Sequence, residues 1–271
     1  MTIYDQILAN KAAGRKMFAL LIDPEKCSDE WLYQVMTTIN FCDKREQNQT
    51  CLSYAEQSKN LERSEKQSTD NTQLLIFVGG SQLKESVFDV VEKIKSLTSV
   101  PVVMFPGDAS QFAENADALL FLSLASGRNA KYLIEQHIKA APFIKRANIE
   151  TIPTGYILVD GKKNTAVARV SHTEPYPIED IDLIANTALA CQLFGHKMVY
   201  LEAGSGANRP VPQHIIAATR QTIDIPLIVG GGIKTPEQMQ TAFNAGADLV
   251  VVGNHIESHP EELTQILNTL T

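Results

Sequence analysis

Eight short apolar runs constrain this chain more than anything else in its sequence. They are Phe18–Ile22, Leu74–Val78, Val102–Phe105, Ala118–Leu122, Gly155–Val159, Met198–Glu202, Leu227–Val229 and Leu249–Val252. Each runs into Gly, Pro, Asp or Ser, Met198–Glu202 by way of Ala203, and none alternates strictly between apolar and polar residues. A strand wet on one face must alternate, so the pattern predicts parallel strands buried on both faces.

The intervening segments carry helix punctuation. Ser28 with Asp29 and Glu30 precedes Trp31, Leu32, Val35, Met36 and Ile39, an N-cap followed by an apolar face at helical spacing. Leu83, Val87, Val91, Ile94 and Leu97 form a similar stripe. Pro177–Phe194 stops at Gly195 and the helix after Thr235-Pro236 stops at Gly246, with glycine just past each helix end. Asp108–Asp117 has room for two turns of helix at most. Eight strand–helix units predict an α/β fold, a (β/α)8 TIM barrel spanning 1–271 as a single domain. Residues 43–72 are nearly all polar and read as a surface insertion between the first helix and the second strand, solvated and without chemistry.

Charge and cysteine usage narrow the function classes. Lys and Arg number 24 against 31 Asp and Glu, a net charge of −7 in 271 residues. That excludes a nucleic-acid binder working by a basic surface, and any phosphorylated ligand would need locally concentrated positive potential. Cys27, Cys42, Cys51 and Cys191 have neither metal-type nor disulfide-scaffold spacing. The first residues contain no apolar leader, and the apolar runs are too short to span a bilayer. A cytoplasmic enzyme is expected.

In such barrels chemistry sits at the C-terminal strand ends. Three consecutive ends carry glycine: Ala203-Gly204-Ser205-Gly206-Ala207, Gly230-Gly231-Gly232 and Gly253-Asn254. One cluster would suggest a tight turn; three in succession predict a phosphate site, where bare backbone N–H groups meet oxygen. Asp23, after the first run, suits a hard cation such as Mg²⁺ or an N-cap-like turn before Ser28, and Ser81 either joins that ion or caps the next helix. Glu202 ends an otherwise apolar run beside the phosphate loop, where partial desolvation would raise its pKa and make it a general base; its alternative is an ion pair with a nearby Lys or Arg. His137, His214 and His259 read as surface residues, and Arg128 as an anion contact or a solvated side chain.

The motifs taken together resemble one family. LIDPEK at Leu21–Lys26, VGGSQ at Val78–Gln82, VMFPG at Val103–Gly107, TIPTGYILVDG at Thr151–Gly161, YLEAGSGA at Tyr200–Ala207, IVGGGI at Ile228–Ile233 and VVGN at Val251–Asn254 are similar to those of the geranylgeranylglyceryl phosphate synthases. The resemblance covers the chain apart from the insertion. It implies a TIM-barrel prenyltransferase of lipid biosynthesis that joins a prenyl diphosphate to the 3-hydroxyl of sn-glycerol 1-phosphate with Mg²⁺. Carried over by position, it implies Asp23 and Ser81 for Mg²⁺. Tyr200, Leu201, Glu202, Ala203, Gly204, Ser205, Gly206, Gly231, Gly232, Gly253 and Asn254 would hold glycerol 1-phosphate, with Glu202 as base. Polarity alone suggests Phe105, Phe121, Leu122 and Tyr156 for the prenyl tail. A homo-oligomer with peripheral membrane contact is expected. A longer prenyl donor, a sugar-phosphate isomerase or aldolase, and a non-catalytic binder of phosphorylated lipid precursors stand as alternatives.

Overall fold

The computed structural model describes residues 1–55, 73–80, 86–163 and 165–270, with side chains throughout except at 43–55. Eight parallel strands close into a barrel in chain order: β1 Met17–Ile22, β2 Leu74–Val78, β3 Val102–Met104, β4 Ala118–Leu124, β5 Glu150–Leu158, β6 Met198–Glu202, β7 Leu227–Gly230 and β8 Leu249–Val252. Closure is made by β1 on β8, with Met17 opposite Leu249 and Leu20 opposite Val252.

Each strand serves two cores, which explains the missing alternation in the sequence. On β6, Met198 and Tyr200 point into the barrel, while Val199 and Leu201 point out to the helix layer. On β1, Met17 and Ala19 face in, and Phe18, Leu20 and Ile22 face out. Both faces are apolar because neither meets water, and each Leu, Ile or Phe so buried contributes roughly 1.5–3 kcal/mol.

The helix layer follows the punctuation. α1 Ile3–Ala12 closes the N-terminal end of the barrel, where Ile3 and Ile7 join the inner core. Its first amides, Ile3 N–H and Tyr4 N–H, donate to the Glu150 carboxylate at 2.6 and 2.9 Å, which satisfies donors left open at a helix start. α2 Asp29–Ala55 starts where Ser28 Oγ accepts from Trp31 N–H at 3.2 Å. It continues into the polar segment as far as Ala55, so that part of the 43–72 insertion is helical; residues 56–72 lie outside the described residues.

α3 Val87–Leu97 buries Val87, Val90, Val91 and Ile94; Leu83, assigned to the same stripe, lies outside the described residues. The β3–β4 connection forms turns without a helix, as its length allows. A π-helical turn, Lys131–Glu135, leads into α4 Gln136–Ala147, and α5 Ala166–Ser171 and α6 Ile181–Leu193 flank the β5–β6 crossover. α7 Gln213–Thr222 and α8 Pro236–Asn244 follow, the latter with a capping box between Thr235 and Gln238. Gly246 takes the left-handed conformation beyond it (φ +114°). Short helices α9 Asn254–Ser258 and α10 Leu263–Leu267 close the layer. Among the described residues no helix is long and apolar enough to cross a membrane.

Candidate active site

A cleft of ≈1060 Å³ opens at the C-terminal ends of the strands. One end is polar, lined by Asp23, Lys26, Glu202, Ser205, Gly232 and Asn254; the other is an apolar arm walled by Phe121, Leu122, Tyr132, Ala140, Ile144 and Val167. Phe105 and Tyr156 stand where the two meet, and all four side chains assigned to the tail line this cleft.

Glu202 sits at that junction. As the last residue of β6 it keeps the inward register of Met198 and Tyr200, so its carboxylate enters the barrel mouth and is only 5% exposed. Oε1 accepts from Gly204 N–H at 2.6 Å. Burial pushes its pKa up, and this outweighs the lowering by the Gly204 amide and by the Tyr200 and Tyr156 hydroxyls. Tyr200 Oη is buried and makes no well-aligned hydrogen bond. The two rings meet edge to face at 5.2 Å, and burial beside the Glu202 charge raises both phenols well above their ordinary range. The polar groups around Glu202 are thus an amide and two phenols, with no cation among the described residues, and burial leaves it a raised carboxylate, the state suited to accepting a proton.

The glycines shape the polar end. Gly231 (φ +81°) is required twice over: its conformation suits only glycine, and a Cβ there would overlap Glu202 Oε1. Gly204 (φ +97°) turns its amide to Glu202, with Thr165 filling the place of a side chain. Ser205 Oγ donates to Asn254 Oδ1 at 2.7 Å, tying the β6 loop to the β8 loop, and Lys163 Nζ donates to Gly206 O at 2.9 Å. Backbone, hydroxyl and amide groups with the Lys163 and Lys234 ammonium groups nearby form a donor set suited to an anion in an acidic chain.

At the β1 end, Asp23 Oδ1 accepts from Glu25 N–H at 3.2 Å, and its other oxygen lies 2.9 Å from Lys26 Nζ. Lys26 also reaches Glu257 Oε2 at 3.3 Å. Burial pushes Glu257 up against the pull of Lys26; burial works against the Lys26 charge too, but its two carboxylate partners prevail and raise it. Two carboxylates sharing one cation at the cleft rim are a donor set of hard oxygens that fits Mg²⁺.

Of the residues assigned to the site, Asp23, Tyr200, Glu202, Ser205, Gly206, Gly231, Gly232, Gly253 and Asn254 converge on the cleft. Leu201 and Ala203 turn their side chains outward into the helix layer, because they occupy the odd register of β6, and Gly204 contributes its amide. Ser81 lies outside the described residues. The ion pair considered for Glu202 is replaced by the contacts above. Arg128 bonds the Gly127 carbonyl at 2.8 Å and does not line the cleft. His137 is buried, not a surface residue: it packs edge-on against Phe121 in the wall of the apolar arm. Lys26, Lys163 and Glu257 carried no signal of their own, although Lys26 stands inside the LIDPEK motif.

These features define a (β/α)8 barrel enzyme whose cleft combines a glycine-rich polar end, suited to an anion, with an apolar arm. Residues 50–270 match the PcrB family. The chain is 44% identical over 258 residues to the geranylgeranylglyceryl phosphate synthase of Flavobacterium johnsoniae, covering 95% of this chain and 94% of that one. It is 45% identical to the Zunongwangia profunda enzyme of the same name, over 94% and 97% of the two chains. The crystal structure of (S)-3-O-geranylgeranylglyceryl phosphate synthase from Thermoplasma acidophilum in complex with sn-glycerol 1-phosphate superposes with a TM-score of 0.82 at 29% identity, over 100% and 98% of the chains. The protein belongs to the PcrB family, among the geranylgeranylglyceryl phosphate synthases, which are prenyltransferases. An Escherichia coli aldolase aligns at 13% identity with a TM-score of 0.57, a likeness of fold alone.

Proposed function

We propose that this enzyme joins geranylgeranyl diphosphate to the 3-hydroxyl of sn-glycerol 1-phosphate, with Glu202 as base and Mg²⁺ at Asp23. The observation that carries the reading is the position of Glu202, at the junction of a phosphate-type end and an apolar arm within one cleft.

The acceptor phosphate is assigned to the loops at Ser205–Gly206, Gly231–Gly232 and Gly253–Asn254, which aims the glycerol hydroxyl at Glu202. Its carboxylate takes the hydroxyl proton as the oxygen attacks C1 of the donor. The allylic C–O bond breaks, and its electron pair leaves with diphosphate. Tyr156 and Tyr200 exclude water from the carboxylate, and Phe105 with the apolar arm shields the developing allylic cation. Asp23 would hold Mg²⁺, which when bound would supply positive charge against the diphosphate. Ile134 on the π-helical turn, Ile138 and Phe143 on α4, with Leu193 and Phe194 at the end of α6, leave apolar surface for the expected homo-oligomer.

A sugar-phosphate aldolase using a strand-end lysine is disfavoured. Lys16 and Lys197 precede β1 and β6 at the opposite end of the barrel, and among the described residues no lysine ends a strand.

The test is incubation of labelled sn-glycerol 1-phosphate with geranylgeranyl diphosphate, with and without EDTA, and in parallel with the 3-phosphate enantiomer or a longer donor. A lipid-extractable product requiring Mg²⁺ and the 1-phosphate supports the reading, and the preferred donor sets the chain length. No extractable product with any donor would return the sugar-phosphate enzyme or the binder.

A further inference from the structure

We propose that Lys26 binds the diphosphate of the prenyl donor, and that Glu257 is the positioning residue that holds its ammonium there. The inference rests on the donor assignment above and adds the residues that receive the donor's charged end.

A prenyl diphosphate brings several negative charges to a chain whose own net charge is −7. Among the described residues, Lys26, Arg169 and Lys234 are the lysine and arginine side chains lining the cleft. Lys234 follows the β7 glycines at the acceptor end, and Arg169 stands on α5 along the apolar arm. Of these three, Lys26 is the one at the β1 rim, next to the carboxylate assigned to Mg²⁺.

Its surroundings hold it there. The Glu257 side chain is 8% exposed and that of Asp23 19%, while Lys26 remains 44% exposed. The ammonium thus has two fixed anchors and one open side toward the cleft. Two carboxylates and one ammonium leave the group one negative charge in excess; with a divalent cation added it becomes net positive, the condition for receiving a diphosphate. A surface pair would gain little from such an arrangement, but an anchored ammonium has lost its mobility before the ligand arrives.

The position of Glu257 has a second consequence. α9 begins at Asn254, whose side chain bonds Ser205 in the acceptor-phosphate loops, and Glu257 stands three residues on. Residues spaced i, i+3 are neighbours on a helix face. One helical turn therefore connects the acceptor-phosphate contact to the donor-diphosphate contact, and its geometry sets the separation of the two charged groups.

The test is calorimetric titration of the full-length protein with inorganic pyrophosphate plus Mg²⁺, and separately with sn-glycerol 1-phosphate. Lys26→Met should weaken pyrophosphate binding about tenfold or more and leave glycerol 1-phosphate binding within about twofold. Lys26→Arg should restore most of the loss. Glu257→Gln should weaken pyrophosphate several-fold, by about as much when combined with Lys26→Met as Lys26→Met does alone, because it acts through the same ammonium. In turnover, Lys26→Met should raise KM for the donor and not for the acceptor. Equal losses for both ligands would mean a structural role, and unchanged pyrophosphate affinity would mean no role; either overturns the proposal. A wild-type protein that binds glycerol 1-phosphate but neither pyrophosphate nor a prenyl diphosphate would overturn the prenyltransfer reading itself.

Discussion

The backbone N–H of Gly204 donates to Glu202 Oε1 at 2.6 Å, and the same oxygen fills the space that a side chain on Gly231 would need. The base proposed for the reaction is therefore locked by two glycine loops to which the acceptor phosphate is also assigned. Position of the carboxylate and shape of the phosphate site are one piece of geometry.

Replacing Glu202 by Gln tests this at the chemical step. The amide keeps an acceptor for Gly204 N–H but cannot take a proton, so kcat should fall roughly 10²–10⁴-fold while sn-glycerol 1-phosphate affinity changes little. Calorimetry with single-turnover kinetics separates the two effects. Comparable turnover in the variant would remove Glu202 from its role.

The pH dependence follows from the same burial. The Glu202 pKa is raised in the folded protein, and the base acts only when ionised. The rate should therefore climb with pH through an acid limb lying above the ordinary carboxylate range. Stability runs the other way: a raised carboxyl binds its proton more tightly when folded, so its contribution is complete below the unfolded value of 4.5 and is lost as pH rises through the folded pKa. Glu202→Gln should then melt higher than wild type at neutral pH, and the difference should vanish in acid. Thermal melts at several pH values check the sign.

Gly231→Ala should cost about 1–3 kcal/mol of stability from its left-handed backbone alone. It should also reduce kcat/KM by more than the stability loss explains, because the methyl group displaces Glu202. Urea titration and steady-state kinetics on the same preparation measure both.

Asn254→Ala removes the partner of Ser205 Oγ and loosens the tie between the β6 and β8 loops. KM for sn-glycerol 1-phosphate should rise about tenfold, with KM for the donor changing far less, since a hydrogen bond near a charged ligand contributes roughly 1.5–3 kcal/mol. Equal changes in both constants would place the acceptor elsewhere.

Asp23→Asn should raise the Mg²⁺ concentration needed for half-maximal activity by about tenfold or more, with EDTA abolishing turnover in wild type. Manganese resonance titration follows the ion without relying on activity. Undiminished Mn²⁺ affinity in the variant would move the ion away from β1.

The barrel was legible in the sequence because buried parallel strands write a distinctive pattern. Runs such as Leu74–Val78 and Leu249–Val252 are apolar at both parities, and the structure shows why: one parity faces the barrel interior and the other faces the helices. The same period of two explains what the sequence reading overstated. YLEAGSGA reads as one continuous motif, yet Leu201 and Ala203 face away from the cleft while Tyr200 and Glu202 face into it. Glycines 204, 206, 231 and 232 were legible because their left-handed backbone admits little else. Glu257 was not, since a glutamate on a short helix looks solvated until Lys26, over two hundred residues away in sequence, is placed beside it. His137 was missed for a related reason: a histidine near a helix start looks solvated, and its burial against Phe121 appears only in three dimensions.

The most direct measurement is a crystal structure of the protein with sn-glycerol 1-phosphate and Mg²⁺-pyrophosphate. The phosphate should lie among Ser205, Gly206, Gly232, Gly253 and Asn254, with the 3-hydroxyl within hydrogen-bonding distance of Glu202 and the pyrophosphate at the β1 rim. A phosphate bound elsewhere in the barrel, or a 3-hydroxyl turned away from Glu202, would contradict the account.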